Sequence, residues 1–461
     1  MAIRAGWLSL VAVGLVQSAA VGAPPVDVVL EWNAIALDAV KADFSDPENS
    51  PEQGGPTGTS RALAIVHAAM FDACNSVDRS YTPYQILVPL AKSASLDAAV
   101  ARAAHDTLSA LYTRQKAVFD QRLVQTLQRV SGGAAKVQGQ VVGAICAQAI
   151  LSARANDGSD DDTPYEPGTL PGQHRVDPLH PNQGFLGPNW GGVTPFAITS
   201  VDDFLIPPPP PLDSPAYAEF YNEVKEIGAK NSATRTDEQT TIGIFWGYDG
   251  TPGLGTPPRL YNQIVRVIAM QKKNSTVQNA RLFALVNLAM ADAGIACWYE
   301  KYNFAFWRPI LAIREADAGT GPSGLGDNNP DTEGDVNWEP LGAPASNASG
   351  TNFTPPFPAC ASGHATFGSA MFQMLRRFYG TDNIAFSFMS DEFNGVTADQ
   401  DGNVRPVVVR RYQTLSQADE ENGISRIYLG IHWRFDKDEG MDQGRAIANQ
   451  IFNTTLRPRT K

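Results

Sequence analysis

Three short segments in the second half of the chain set charged and hydrogen-bonding side chains among apolar neighbours. In Lys301-Tyr-Asn-Phe-Ala-Phe-Trp-Arg308-Pro309 two cations stand seven residues apart. On a continuing helix that is two turns, which would put both on one side, with Pro309 favouring the helix end. Lysine supplies a compact point charge and arginine a planar fork, a pair suited to an anion of several oxygens. Pro358-Ala-Cys-Ala-Ser362-Gly363-His364-Ala-Thr366 leads into an apolar helix. Its Ser-Gly turn offers a hydroxyl and a backbone N–H at the positive end of that helix, with His364 as a titratable group at the rim. In Ser425-Arg426-Ile-Tyr-Leu-Gly-Ile-His432-Trp-Arg-Phe-Asp436, Arg426 precedes the histidine by six residues and Asp436 follows it by four. On a continuing helical turn that carboxylate would fix the tautomer of His432 and leave the other ring nitrogen as nucleophile or metal ligand. Each segment also has an ordinary reading: solvated basic residues, a serine N-cap, a satisfied core histidine, and Asp436 as a first-turn acid of the next helix.

The rest of the 461-residue chain limits what such segments could serve. It is 43% hydrophobic, enough for a large core, and its 48 acidic against 36 basic residues give a net charge of −12. That balance argues against nucleic acid or an anionic membrane as partner, so any anion must be gripped locally. The four cysteines, Cys74, Cys146, Cys297 and Cys360, form no CxxC and no metal-knuckle spacing, which excludes zinc fingers and disulfide scaffolds but leaves one or two bridges open. Arg4, the apolar run Trp7 to Val16 and small residues around Ala23 read as a secretory signal over residues 1–23, so a secreted or periplasmic protein is expected. No later stretch reads as long and apolar enough to cross a bilayer in the mature form.

Apolar residues at three- and four-residue spacing predict helices over 26–40, 60–77, 96–111 and 116–154, the last interrupted at Gly132-Gly133 with a stripe of Val137, Val141 and Ile145. Asn156 to Thr163 reads as an acidic turn; it lacks the glutamate that closes a calcium loop. A Pro- and Gly-rich stretch ending in Pro207–Pro211 separates these from further helices over 217–229, 237–246, 261–270, 277–296, 364–379, 416–429 and 436–452. The best strand signal is Val404 to Arg410. The expected fold is all-α: two packed helical bundles with long irregular loops, an N-terminal lobe over 24–206 and a C-terminal lobe over 207–461 that carries the oxoanion site.

Taken together, the three segments resemble the vanadium-dependent haloperoxidases, within the superfamily that also holds the type 2 phosphatidate and class A acid phosphatases. The superfamily pattern, Lys-x6-Arg-Pro, Pro-Ser-Gly-His and Ser-Arg-x5-His-x3-Asp, is matched in order at every position but one, where Ala361 replaces proline. Trp246-Gly-Tyr-Asp249-Gly, Gly255-Thr-Pro-Pro-Arg-Leu-Tyr and Ala289-Met-Ala-Asp-Ala-Gly-Ile-Ala-Cys-Trp298 are similar to the haloperoxidase branch rather than the phosphatases.

The resemblance implies a vanadate cofactor bonded through His432, with Lys301, Arg308, Ser362, Gly363 and Arg426 hydrogen-bonding its oxygens and His364 as the acid–base group. It implies hydrogen peroxide, chloride or bromide and a small organic acceptor as partners, Lys301 polarising the bound peroxide oxygen, and hypohalous acid as product. Phe357 falls where fungal chloroperoxidases of the family carry phenylalanine, Trp298 matches a residue of their halide pocket, and Asp249 matches an acid paired with an active-site arginine. The alternative within the superfamily is an acid phosphatase in which His432 is phosphorylated. No haem attachment motif is present, and the one GxGxxG match, Gly319 to Gly324, sits in a long loop. The organic acceptor and the oligomeric state are not legible.

Overall fold

The computed structural model describes residues 27–459; the expected signal segment lies outside them. Thirteen α-helices and one hairpin are present among the described residues. The first half holds α1 (Val28–Asp43), α2 (Gly55–Asp78), α3 (Leu96–Leu111), α4 (Lys116–Arg129) and α5 (Ala134–Ala153), followed by a largely irregular stretch to residue 214. The second half holds α6 (Pro215–Ile227), α7 (Asp237–Phe245), α8 (Pro257–Lys272), α9 (Thr276–Phe304), α10 (Pro309–Glu315), α11 (Gly363–Tyr379), the antiparallel pair β1 (Phe386–Asn394) and β2 (Val407–Tyr412), α12 (Leu415–Tyr428) and α13 (Arg434–Thr454).

The halves meet along α9. Ile65 and Met70 of α2, Leu285 and Trp298 of α9, and Phe367 and Met371 of α11 belong to one continuous core, so residues from both sides of the Pro207–Pro211 connector share it. Helix α9 starts at a capping box, Ser275 with Gln278, and is apolar on every side because it is surrounded. By length and hydropathy it would pass for a membrane span, as would α5, contrary to the sequence expectation; but 94% of the apolar window of α9 is buried inside the protein.

Two local expectations change. The stripe of Val137, Val141 and Ile145 faces solvent, with exposures of 61, 54 and 38%. The opposite face of α5 packs instead, because Gly143 lets the backbone approach α3 so closely that a Cβ there would collide with the Ala99 carbonyl. Lys301 and Arg308 also do not share a helix. Helix α9 ends at Phe304 with Ala305 in the left-handed conformation (φ 46°), and Arg308 is the extended residue before α10. The cause is Pro309, which disfavours helical backbone at the residue before it and starts the next helix at its first position.

The strand expected at Val404 to Arg410 is β2, shifted by a few residues, and it pairs with β1, which no sequence signal marked. Of the acidic turn, Asp157 is buried and holds both Arg61 and Arg154. All four cysteines are buried free thiols, so neither of the bridges left open forms.

Candidate active site

The three motif segments interlock through their own hydrogen bonds. From the end of α9, the Lys301 ammonium donates to the carbonyls of Pro358 (2.8 Å), Ala359 (3.1 Å) and Ala361, which ties the first segment to the second. Arg308 Nε donates to Phe357 O at 2.8 Å, and its NH1 donates to Ile431 O at 2.7 Å, so one guanidinium spans all three segments. Ser362 N–H donates to Asp436 O at 2.9 Å, and Trp433 Nε1 donates to Trp307 O at 3.1 Å. Below them Tyr217, Tyr221, Phe306, Trp433 and Phe435 form an aromatic cluster, a rigid floor for the turns that carry Arg308 and His432. Helix α13 reaches α11 closely enough to make these contacts because Gly444 leaves no Cβ to strike Thr366 O.

His432 is 2% exposed, and its Nδ1 lies 2.9 Å from Asp436 Oδ2. Burial, then the cations Arg308, Lys301 and Arg426, hold its pKa well below the usual range, so the ring is neutral. Nδ1–H donates to the carboxylate, and the Nε2 lone pair accepts from Arg308 NH1 at 2.9 Å. Asp436 sits in the first turn of α13, where its Oδ2 also accepts the Trp433 N–H at 3.1 Å; it is both the tautomer-fixing partner and a helix-start acid.

His364 likewise has its pKa held well below the usual range, by burial and then by Arg426. Its Nε2–H donates to Gly247 O at 2.8 Å, which leaves Nδ1 as an acceptor. Arg426 NH2 pairs with Asp249 Oδ1 at 2.6 Å, and burial raises the pKa of Asp249 against the pull of that arginine. Trp298 packs on Phe357 with ring centroids 4.8 Å apart. The Phe357 ring also lies 4.9 Å from both the Lys301 ammonium and the Arg308 guanidinium, within range of a cation–π attraction.

Of the residues singled out from sequence, Asp249, Trp298, Phe357, Gly363, His364, Arg426 and His432 line one cavity of about 580 Å³. Lys301, Arg308, Ser362 and Asp436 are buried around that lining. Lys301 differs from expectation in one respect: its three protons are directed to loop carbonyls, so it shapes the turn that carries Ser362. The pKa of Lys301 is lowered to about 8, and that of Arg308 to about 9, in each case chiefly by burial.

Other wall residues were not singled out from sequence, although Tyr248 lies within the matching Trp246–Gly250 segment. Phe44, Pro51 and Leu186 come from loops of the N-terminal half and Pro56 from the first turn of α2, while Tyr248 and Phe353 come from the other half. His174, also unmarked, is buried beside Tyr165 and Phe185 with neither ring nitrogen bonded, and burial and then Arg308 and Lys301 depress its pKa. A second cavity of about 610 Å³ shares Gly54 and Leu186 with the first but contains none of the motif residues.

The hydrogen bonds that are missing define what the site can hold. Ser362 occupies the N-cap position of α11, yet its hydroxyl makes no capping bond; it is buried without a partner, as are Arg308 NH2 and Arg426 Nε and NH1. Buried donors are ordinarily satisfied, and leaving one unmade costs roughly 1–3 kcal/mol. Guanidinium and hydroxyl donors beside a neutral imidazole nitrogen at a helix N-terminus match a compact tetrahedral oxoanion such as vanadate or phosphate.

Comparison with known proteins agrees. Residues 281–460 match the family model of the VCPO second helical-bundle domain. Vanadium chloroperoxidase of Curvularia inaequalis is 41% identical over 328 residues, covering 61% of this chain; the alignment spans about half (51%) of that relative. A bacterial vanadium-dependent iodoperoxidase has the same fold, with a TM-score of 0.73 at 22% identity over 94% of this chain and 97% of its own. A bacterial vanadium-dependent chloroperoxidase in its holo form gives 0.67 at 17% identity over 90% and 96%. Motif order and these likenesses point the same way: the chain is similar to vanadium chloroperoxidase, matches the VCPO second helical-bundle domain over residues 281–460, and shares the fold of the two bacterial proteins.

Proposed function

We propose that this protein is a vanadate-dependent haloperoxidase that uses hydrogen peroxide to oxidise chloride or bromide to hypohalous acid, which then halogenates a small organic acceptor. The observation that carries this reading is the set of unpartnered buried donors on Ser362, Arg308 and Arg426, gathered beside the neutral ring of His432. Vanadate, when bound, supplies a Lewis-acidic centre that activates peroxide toward halide attack. His432 would hold it through Nε2, which requires an unprotonated nitrogen, and Asp436 keeps the proton on Nδ1. Arg308, Arg426, Ser362 and the Gly363 N–H would hold the oxygens, and the guanidiniums offset their charge. His364 keeps a free acceptor nitrogen with which to take a proton from peroxide. Trp298 and Phe357 would give the halide an apolar wall that strips its water. Export of the protein is part of the proposal and rests on residues 1–23.

The 41% identical relative is named a chloroperoxidase, which favours this reading over the phosphatase one. Purified protein loaded with orthovanadate is expected to halogenate monochlorodimedone with peroxide and halide. A rate no greater than that of free vanadate would refute the proposal, and a trapped phosphohistidine lost in His432→Ala would put the phosphatase in its place.

A further inference from the structure

The residues already described depend on one short turn, Trp246 to Asp249. Its Gly247 carbonyl holds His364, and its Asp249 carboxylate holds Arg426. The turn is strained: Tyr248, fully buried, has φ of 60°, the left-handed region that a side chain with a Cβ enters only under constraint. The constraint comes from the hairpin. Glu392 of β1 accepts the Tyr248 N–H on Oε1 at 3.1 Å. Its Oε2 accepts from Arg405 NH1 at 2.7 Å and from the Ser346 hydroxyl at 2.5 Å, and Arg405 NH1 also donates to Ser346 Oγ at 2.8 Å. The carboxylate lies so close that a Cβ on Gly247 would collide with it. Ser390 Oγ adds a bond to Phe245 O at 2.6 Å, and the Tyr248 hydroxyl accepts from Asp391 N at 2.7 Å.

A buried ion pair is poor evidence for stability, because an apolar pair of similar size often does as well. Its placement here serves orientation. The geometry points to Glu392, clamped by Arg405 and Ser346, as a positioning residue for the active site: by fixing the Trp246–Asp249 turn it sets the tautomer of His364 and the aim of Arg426 together. Neither Glu392 nor Arg405 lines the cavity, so both act through the turn. The inference rests on the proposed function only for its effect on turnover.

Two double variants separate the clamp from its charges. E392M/R405M removes both and leaves no lone buried charge; E392Q/R405M is also neutral but keeps an acceptor for the Tyr248 N–H. Imidazole ¹⁵N shifts of His364 in vanadate-free protein, and its affinity for inorganic phosphate, are read in each. The methionine pair is expected to give mixed His364 tautomers and phosphate binding weaker by about tenfold. Loaded with vanadate, it should show kcat reduced about tenfold with KM for peroxide within about twofold. The glutamine variant should restore wild-type values. A folded E392M/R405M with the wild-type His364 signature and phosphate affinity overturns the inference. Should that variant not fold, Glu392→Asp, which withdraws the carboxylate from Tyr248 but keeps Arg405 paired, carries the same two outcomes. Because the shifts need no vanadate, a tautomer change in a protein without halide turnover would sustain the clamp and sink the proposed function.

Discussion

At the scale of single residues, the two site histidines are both buried and neutral, yet their partners give them different work. His432 directs Nδ1–H to a carboxylate, whereas His364 directs Nε2–H to a carbonyl. Replacing His432 with alanine should abolish vanadate retention through gel filtration, measured as bound vanadium. His364→Ala should keep the vanadium and lower kcat by about a hundredfold, the low end for loss of a general base; equal retention with equal turnover in both would refute the assignment. Lys301 adds a pH signature. Its pKa is lowered to about 8, so the ammonium is complete below that value and is lost as pH rises through it. Affinity of the vanadate-free protein for sulfate, whose charge is constant from pH 7 upward, should therefore fall as pH rises through 8, and a titration by calorimetry from pH 7 to 8.5, below the value of about 9 for Arg308, would show it. In Lys301→Met the affinity should be lower at pH 7 and should lack the step near 8, falling only as Arg308 titrates toward 9. Side-chain types and spacing made these residues legible; the bonds that occupy the Lys301 ammonium were not, because carbonyls 57 to 60 residues away leave no trace in a local pattern.

Secondary elements were legible wherever a 3.6-residue period had a single apolar side to bury, as in α3, whose limits agree with the sequence reading to the residue. Where packing was made by absence of side chains, the reading misled: α5 buries its glycine face, with Val142, and exposes Val137 and Val141. The hairpin strand β1 escaped because the apolar alternation begun by Phe386 and Phe388 is broken at the next two inward residues, Ser390 and Glu392, which are polar and serve the Trp246–Asp249 turn. The break between α9 and α10 follows from Pro309, and its geometry is testable. Ala305 accepts a left-handed backbone that costs a residue with a Cβ roughly 1–2 kcal/mol, against about 0.5–1 kcal/mol of chain entropy lost by glycine. Ala305→Gly is therefore expected to raise stability by roughly 0.5–1 kcal/mol in denaturant unfolding, with activity unchanged, while Ala305→Val should lower both. A neutral or destabilising glycine would mean that the αL turn is not strained.

At the scale of the whole molecule, the anion cup was legible because three segments carry it. The cavity above it was not, since part of its wall comes from the N-terminal half, from residues such as Phe44, Pro51 and Leu186 whose place is fixed only by tertiary contacts. Other irregular segments of that half are held by buried aspartates acting as multiple acceptors for backbone N–H groups. Asp72 of α2 takes those of Tyr84, Gln85 and Ile86 at 2.7, 2.7 and 2.9 Å. Asp292, in the middle of α9, takes those of Phe196, Ala197 and Ile198 at 2.5, 2.7 and 2.8 Å. The second anchor joins the irregular stretch after α5 to the central helix of the other half, two turns before Trp298, whose indole in turn donates to Leu186 O at 3.2 Å on the cavity wall. Asp292→Asn keeps the volume but turns one acceptor into a donor that faces backbone N–H groups. It should cost about 3 kcal/mol, the upper range for hydrogen bonds to a charged group, read as a lower denaturant midpoint at unchanged slope. The same variant should loosen the wall that carries Leu186 while leaving the cup intact, so hydrogen exchange over residues 183–198 should quicken and that over 425–436 should not. Equal quickening in both stretches would show that wall and cup unfold as one unit, and that the loop anchors do not act separately from the core beneath them.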